Sequence, residues 1–233
     1  MTLLALDTTQ AACSVALADD AGAILAAERE LIERGHAEAL VPMLDRVLRA
    51  AGCGIGAVSR VAVTVGPGSF TGVRVGLAAA RALVLATGAE GLGFTAFEAL
   101  AAAALSAEPG VAGRHVLAAM DARRGQVYAQ AFAVAEGESA PLEPVGEPYV
   151  GPVDGLAPGA RLPGLTVVGG GRDLVLDAFE LADVPGVPYA PDAAALAWLA
   201  ATGQPPRDLT PLYLRAPDAK PPAGGPGAGR PRP

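Results

Sequence analysis

The stretch Gly66-Pro67-Gly68-Ser69-Phe70-Thr71-Gly72-Val73-Arg74-Val75-Gly76 constrains this chain more than any other. A β-branched apolar run, Val61-Ala62-Val63-Thr64-Val65, leads into it and predicts a buried strand. An alanine-rich run from Leu77 to Ala86 leaves it and predicts a helix. A Gly/Pro turn between strand and helix has two uses. Helix N-termini present unpaired N–H groups and partial positive charge, so the turn can hold an anion. Alternatively, the glycines simply let backbone segments pack closely. The stretch lacks the Gly-Lys-Ser/Thr ending of a Walker loop and the spacing of a dinucleotide fingerprint. The residues alone therefore favour the close-packed turn.

Upstream, Leu3-Leu4-Ala5-Leu6-Asp7 predicts a first strand buried on both faces. Cys13 to Ala18 predicts a second, with Asp7-Thr8-Thr9-Gln10 turning between them. Asp19-Asp20-Ala21-Gly22 turns into a third strand, Ile24 to Ile32. His36 to Ala51 is amphipathic, with Leu40, Leu44, Val47 and Ala51 at helical spacing, Met43 and Leu48 beside them, and Gly52 and Gly54 as a stop. Pro42 either marks its first turn or kinks it by removing a hydrogen bond. Beyond the glycine stretch, Thr71 is the candidate N-cap of a helix that Gly88 ends. That helix carries two stripes, Val73–Leu77–Ala80–Val84 and the small row Gly72–Gly76–Ala79. One sheet-facing helix needs only one stripe. The second fits either double-sided burial or a contact with another subunit. Thr95 opens a further alanine-rich helix to about Ser106.

Glu108-Pro109-Gly110 with Gly113 reads as a linker, dividing an N-terminal lobe, residues 1–107, from a smaller C-terminal lobe, residues 108–215. The second part begins like the first. His115 to Met120 predicts a strand ending in Asp121, then the turn Asp121-Ala122-Arg123-Arg124-Gly125, then the strand Gln126 to Val134. This strand–Asp–turn–strand order echoes the N-terminus and predicts two lobes of like design. Residues 136–164 read as loops with one edge strand near Tyr149. Leu165 to Val168 enters Gly169-Gly170-Gly171, and helices follow from Arg172 to about Leu181 and from Asp192 to Ala201. Residues 216–233 are rich in Pro, Gly and Ala and predict a disordered tail.

The chain has 233 residues, is 52% hydrophobic but only 4% aromatic, and carries a formal net charge of −7. The core must therefore be built mostly from Ala, Leu and Val. An acidic chain is a poor stand-alone binder of phosphate backbones, so a role on RNA calls for a more basic partner. Cys13 and Cys53 form no metal pattern and fit a reducing cytoplasm. Asp7 interrupts the N-terminal apolar run and no basic region precedes it, which argues against a secretion signal. Arg81 and Glu98 interrupt the runs that come nearest to a membrane span, so no membrane role is expected.

Few residues invite chemistry. An Asp at the end of a first strand can hold a metal–phosphate complex when a following Gly lets the hairpin wrap the phosphate. Thr8-Thr9 follow Asp7 here, and an Asx turn is the competing reading. Gly169-Gly170-Gly171-Arg172 could admit an adenosine or phosphate by close backbone approach, though loop glycines without a ligand are commoner. His36 and His115 are the only histidines; Leu40 stands where a second metal histidine would be, so no zinc pair is formed. His36 reads as a surface or helix-start residue. No Gly-x-Ser-x-Gly elbow is present.

Taken together, Asp7-Thr8-Thr9 with Cys13-Ser14-Val15-Ala16-Leu17, His36-Ala37-Glu38 with Pro42, and the whole Gly66–Gly76 string resemble the TsaB (YeaZ) family. Asp121-Ala122-Arg123 with Val127-Tyr128, and Pro211 with Tyr213-Leu214-Arg215, look like that family too; Gln126 stands where an acidic residue is expected. The resemblance runs from residue 2 to about 215. It implies an α/β, actin-like ASKHA (ribonuclease H-like) fold of two lobes, each a mixed sheet flanked by helices. It also implies a cytoplasmic, non-catalytic subunit required for threonylcarbamoyladenosine at adenosine 37 of tRNAs reading codons that begin with A. The implied partners are a TsaD-like subunit, which keeps a metal-binding histidine pair and transfers the group, a TsaE-like ATPase, and tRNA through the complex. TsaC makes the threonylcarbamoyl-adenylate. No metal and no tightly bound cofactor are implied. An adenine nucleotide at the subunit interface, and a homodimer without the partner, stay open.

Carried over, the family's dimer surface is the helix pair after His36 and Thr71, giving Leu40, Met43, Leu44, Val47, Val73, Gly76, Leu77, Ala80 and Val84 as partner-facing candidates. The motif loops are Asp7, Thr8, His36, Gly66, Pro67, Gly68, Ser69, Phe70, Thr71, Gly72, Arg74, Asp121 and Arg123. On this reading the glycines open a partner-binding surface. Two other readings compete. An ATP-dependent small-molecule kinase of the same fold would use Asp7 and Asp121, but lacks the phosphate-wrapping Gly. A glycoprotease-like metallopeptidase would need the missing histidine pair.

Overall fold

The computed structural model describes residues 2–107, 114–135, 142–156, 162–181 and 189–215. The chain runs β1 (Thr2–Asp7), β2 (Cys13–Asp19), β3 (Ile24–Glu30), α1 (His36–Ala50), β4 (Val58–Gly66), α2 (Phe70–Thr87), β5 (Glu90–Thr95) and α3 (Ala96–Ala107). It continues β6 (His115–Asp121), β7 (Gln126–Val134), β8 (Leu142–Pro152), β9 (Leu165–Val168), α4 (Arg172–Phe179) and α5 (Ala193–Ala201).

The strands form two mixed sheets, ordered β3-β2-β1-β4-β5 and β8-β7-β6-β9. In the first, β1–β2 and β2–β3 are antiparallel while β1–β4 and β4–β5 are parallel. In the second, β6–β7 and β7–β8 are antiparallel while β6–β9 is parallel. The second sheet thus repeats the first four strands of the first, strand for strand and sense for sense. Asp7 and Asp121 end the equivalent strands β1 and β6.

Alternation along β1 divides the core. Leu4 and Leu6 pack with α1 and α2, whereas Leu3 and Ala5 pack with α3 and α5. The α3–α5 pair lies between the sheets, since one cluster joins Ala16 and Ala62 to Val116, Ala118 and Met120 through Leu100, Leu196 and Leu199. Alanine makes this layering feasible. Ala99, Ala101, Ala102, Ala104, Ala193, Ala195 and Ala197 are buried, and side chains that small let two helices fit between two sheets. Phe94, Phe97 and Leu100 supply the bulk, each burial contributing about 1.5–3 kcal/mol.

Several local expectations change. Pro42 lies inside α1, which continues through it to Ala50. Ser69, rather than Thr71, caps α2: its Oγ accepts from Gly72 N at 3.0 Å, and Thr71 sits in the first turn. Glu90-Gly91-Leu92-Gly93-Phe94-Thr95 is a strand that the sequence reading missed because of its glycines. Gly93 admits the backbone of Arg207 and Asp208, with which it forms an isolated bridge. β8 is an eleven-residue edge strand, with Pro144 and Pro148 tolerated at the edge.

The C-terminal boundary also changes. α5 packs on β1 and β2, Gly93 N donates to Arg207 O at 2.9 Å, and Leu212 N donates to Val65 O at 2.7 Å. Residues 193–212 therefore return to the first sheet instead of belonging wholly to a second lobe. The proposed linker and the tail 216–233 lie outside the described residues.

Thr95 and Glu98 form a capping box at α3: Glu98 Oε2 accepts from Thr95 N at 2.6 Å and Thr95 Oγ1 at 2.8 Å, and Glu98 N donates back to Thr95 Oγ1 at 3.0 Å. Both residues are buried, so no water replaces a lost partner. Glu98→Ala should lower unfolding free energy by about 1–2 kcal/mol in urea titration. An unchanged midpoint would mean the cap contributes nothing.

Candidate functional site

The β1–β2 loop sits directly on the N-terminus of α2. Thr9 O accepts from Ser69 N at 2.9 Å, and Thr8 Oγ1 donates to Gly72 O at 2.7 Å. A side-chain carbon on Gly68 would collide with Thr9 O, and one on Gly72 with Thr8 O. One on Gly76 would stand 2.7 Å from Thr8 Oγ1. The glycine row therefore faces the chain's own Thr8–Thr9 segment. It is neither a cradle for phosphate nor a seat for a second helix. Gly66 (φ 114°) precedes a cis bond to the buried Pro67, and its missing side chain admits Leu212 O. At the loop's far end, His36 Nε2 donates to Gln10 O at 2.8 Å. His36 is thus a helix-start residue, but buried, not exposed.

Asp7 is fully buried at the base of this loop. Its Oδ1 accepts from Thr9 Oγ1 at 2.7 Å, from Thr9 N at 3.3 Å, and from Thr64 Oγ1. Its Oδ2 has no hydrogen-bond partner. Burial pushes its pKa above the usual carboxylate range; the bonds from Thr64 and Thr9 oppose this, and nearby Asp192 adds to it. With Oδ1 bonded to Thr9 N, Thr9 Oγ1 and Thr64 Oγ1, the carboxyl is arranged as an Asx-type anchor of the turn. Beside it, burial pushes the Cys13 thiol up to about 11, so Cys13 is no thiolate nucleophile. Among the described residues, no three or more His, Cys, Asp or Glu side chains gather as a metal site.

The second sheet repeats the arrangement. Gly171 N donates to Ala119 O at 3.0 Å, and a side-chain carbon on Gly171 would lie 2.7 Å from Met120 C. One on Gly169 would meet Ala119 O. The β9–α4 glycines thus carry the end of β6, in place of the adenosine or phosphate considered above. Asp121 lies exposed on this loop, its Oδ1 accepting from Arg123 N at 2.7 Å and its Oδ2 lying 3.4 Å from Arg123 Nη1. Two depressions, about 600 Å³ beside α4 and about 240 Å³ beneath β8, include no residue of the Asp7 or Gly66–Gly76 loops.

The partner-facing candidates divide clearly. Leu40, Met43, Val47, Val73, Gly76, Leu77 and Ala80 are buried against the first sheet, and Leu44 and Val84 are half-buried on the same cluster. The seven buried residues form the core, so assigning them to a partner surface is corrected, while Leu44 and Val84 keep part of their surface exposed. The helical stripe faces the larger apolar surface, which is the sheet. α1 and α2 expose other apolar residues instead: Val41 at 66%, Leu85 at 88%, and the small Ala37, Ala78 and Ala82. α2 is the one described helix long and apolar enough, by length and composition, to cross a membrane; its Val73–Leu77–Ala80 face packs on β4.

Two substitutions test this geometry. Gly72→Ala should cost at least about 2 kcal/mol in urea titration, since Thr8 O must move. Asp7→Asn tests the buried acid. A folded pKa raised above 3.8 means stability is greatest below that value and falls as pH rises towards the raised value. Asp7→Asn should therefore be more stable than the wild type at neutral pH, with the gap closing towards pH about 4. A pH-independent gap would refute a raised pKa at Asp7.

The relatives fit this geometry. A family model described as TsaD, tRNA N6-adenosine threonylcarbamoyltransferase, matches residues 28–148. The tRNA threonylcarbamoyladenosine biosynthesis protein TsaB of Haemophilus influenzae is 39% identical over 132 residues, 55% of this chain and 52% of that protein. The chain thus spans about half the length of the curated relatives it first matches. A crystal structure of a Pseudomonas aeruginosa protein, described as similar to peptidase YeaZ, has a TM-score of 0.74 and 32% identity, covering 92% of this chain and 99% of that one. Component A of the Acidaminococcus fermentans (R)-2-hydroxyglutaryl-CoA dehydratase reaches a TM-score of 0.51 at 10% identity, over 86% of this chain and 98% of that one, which speaks to the fold alone. The fold is the actin-like ASKHA arrangement of two mixed sheets flanked by helices. With 32% identity across nearly the whole YeaZ-like chain, and the model match over half its length, the chain belongs to the TsaB (YeaZ) family.

Proposed function

We propose that this chain is a cytoplasmic, non-catalytic subunit that works with a TsaD-like enzyme in the threonylcarbamoyl modification of adenosine 37 in tRNAs reading codons that begin with A. One observation carries the non-catalytic part. The Asp7 loop is packed onto the glycines of α2, and the loop's one buried carboxylate is pushed towards neutrality. An actin-like kinase would need that loop open, and its packing on the α2 glycines supports the non-catalytic reading over the kinase.

In this reading the partner docks on the exposed faces of α1 and α2, around Val41 and Leu85, continuous with the small Ala78 and Ala82. Small side chains let a partner helix come close, and desolvating Val41 and Leu85 supplies the favourable term. A TsaE-like ATPase and tRNA join through the complex. Any adenine nucleotide sits between subunits, because this chain's own glycine turns are filled. The same apolar faces give the chain a route to a homodimer when the TsaD-like subunit is absent.

The test is reconstitution. The wild-type chain should co-elute with a TsaD-like subunit on size exclusion and restore tRNA modification when added. Val41→Asp with Leu85→Asp should abolish co-elution while leaving thermal unfolding within a few degrees of the wild type. Intact co-elution of the folded variant would rule out this docking face. Failure of the wild type to restore modification would rule out the function.

A further inference from the structure

A short run of arginines and aromatic rings bridges the two sheets where the C-terminal segment crosses between them. At one end, the Arg74 guanidinium lies 3.6 Å from the Phe70 ring centroid, and its Nε donates to Tyr213 Oη at 3.2 Å. The Phe70 and Tyr213 rings stand 5.7 Å apart at 31°. At the other end, Arg215 Nη1 donates to Ala122 O at 2.8 Å, Nη2 donates to Gln126 Oε1, and the guanidinium lies 5.5 Å from the Tyr128 ring centroid. Arg123, next to Ala122, has a side chain 85% exposed. Tyr213 and Arg215 are two residues apart, so the ends lie within about 7 Å of backbone. One segment thus ties both groups together.

This placement runs against the chain's general character. The protein has only five Phe, four Tyr and one Trp, yet Phe70 and Tyr213 are 48% and 42% exposed side by side. The net charge is −7, yet α2 contains no acidic residue and neither does the run from Leu209 to Arg215. Asp121, paired with Arg123, is the acid at this end. A planar cation already laid on an aromatic ring needs little further ordering before it can receive another flat group.

Exposed rings with interleaved arginines are what unpaired RNA requires: rings and guanidinium planes stack bases, and the charges meet phosphates. We propose that this strip contacts single-stranded RNA directly, Phe70 and Tyr213 stacking on bases while Arg74 and Arg123 meet phosphates. The proposal rests on the tRNA reading above, and moves part of the RNA contact from the partner to this chain. The acidic remainder repels RNA elsewhere and confines the contact to the strip.

The test measures RNA binding by the full chain without its partner, so it does not depend on complex formation. The probe is a fluorescein-labelled, unpaired RNA of about 17 nucleotides, followed by anisotropy between about 50 and about 200 mM salt. The wild type should saturate. Arg74→Ala with Arg123→Ala should bind at least about tenfold more weakly, with a log–log salt slope shallower by about 1.4. Phe70→Leu should weaken binding without altering the slope. If the double variant melts early, Arg123→Ala alone, at an exposed position, should still reduce the slope by about 0.7. Absence of saturable wild-type binding, or equal binding by a folded double variant, overturns the proposal. So does a double variant that loses co-elution with a TsaD-like subunit while keeping its RNA affinity, since the strip would then be a protein contact.

Discussion

The fold's arrangement hangs on the contact between Thr8–Thr9 and the glycines at the start of α2. Two carbonyls and a hydroxyl of the β1–β2 loop occupy the space where Gly68, Gly72 and Gly76 have no side chain. That contact seats α2 on the sheet, supplies a partner for Ser69 N, and closes the loop over Asp7. Any side chain in the row would lift the loop or the helix, and with it the cap. Because the contacts at Gly68 and Gly72 are with backbone carbonyls, they allow no relief by rotamer change.

Closing the loop has an electrostatic consequence. Burial of this carboxyl, with one oxygen unpaired, disfavours its charged form and raises its pKa against the lowering effect of the bonds from Thr64 and Thr9. Thr9 and Thr64 satisfy one oxygen and hold the turn's geometry. The same carboxyl that could serve a phosphate in an open loop thus becomes a structural anchor in a closed one.

Much of this was legible in the sequence, and the misses have physical causes. Periodicity found β1, β2, α1, α2 and the β6–β7 repeat, because each pairs a clean apolar pattern with a turn signal. It missed β5, since Gly91 and Gly93 look like loop residues until the returning backbone of residues 207–208 explains them. It could not orient the Val73–Leu77–Ala80 stripe, because a helix with two apolar sides does not say which side the sheet takes. The exposed Val41 on α1 and Leu85 on α2 went unread for the same reason. The Gly66–Gly76 turn reads from its residues as a close-packed turn, but the segment it receives lies about sixty residues away in sequence, at Thr8–Thr9. No local rule could supply that. The bridging run from Leu212 to Arg215 was also invisible, since its partners are Val65, Arg74 and Ala122.

The repeated sheet sharpens what such a chain can do. Both of its glycine turns, after β4 and after β9, are filled by the ends of the neighbouring strands β1 and β6. A two-sheet fold that admits ligands at those turns needs at least one of them open. With both closed, the surfaces left for recognition are the outer helix faces and the segment joining the lobes. On these surfaces the chain places its exposed Val41 and Leu85, and its Phe70–Arg74–Tyr213 stack.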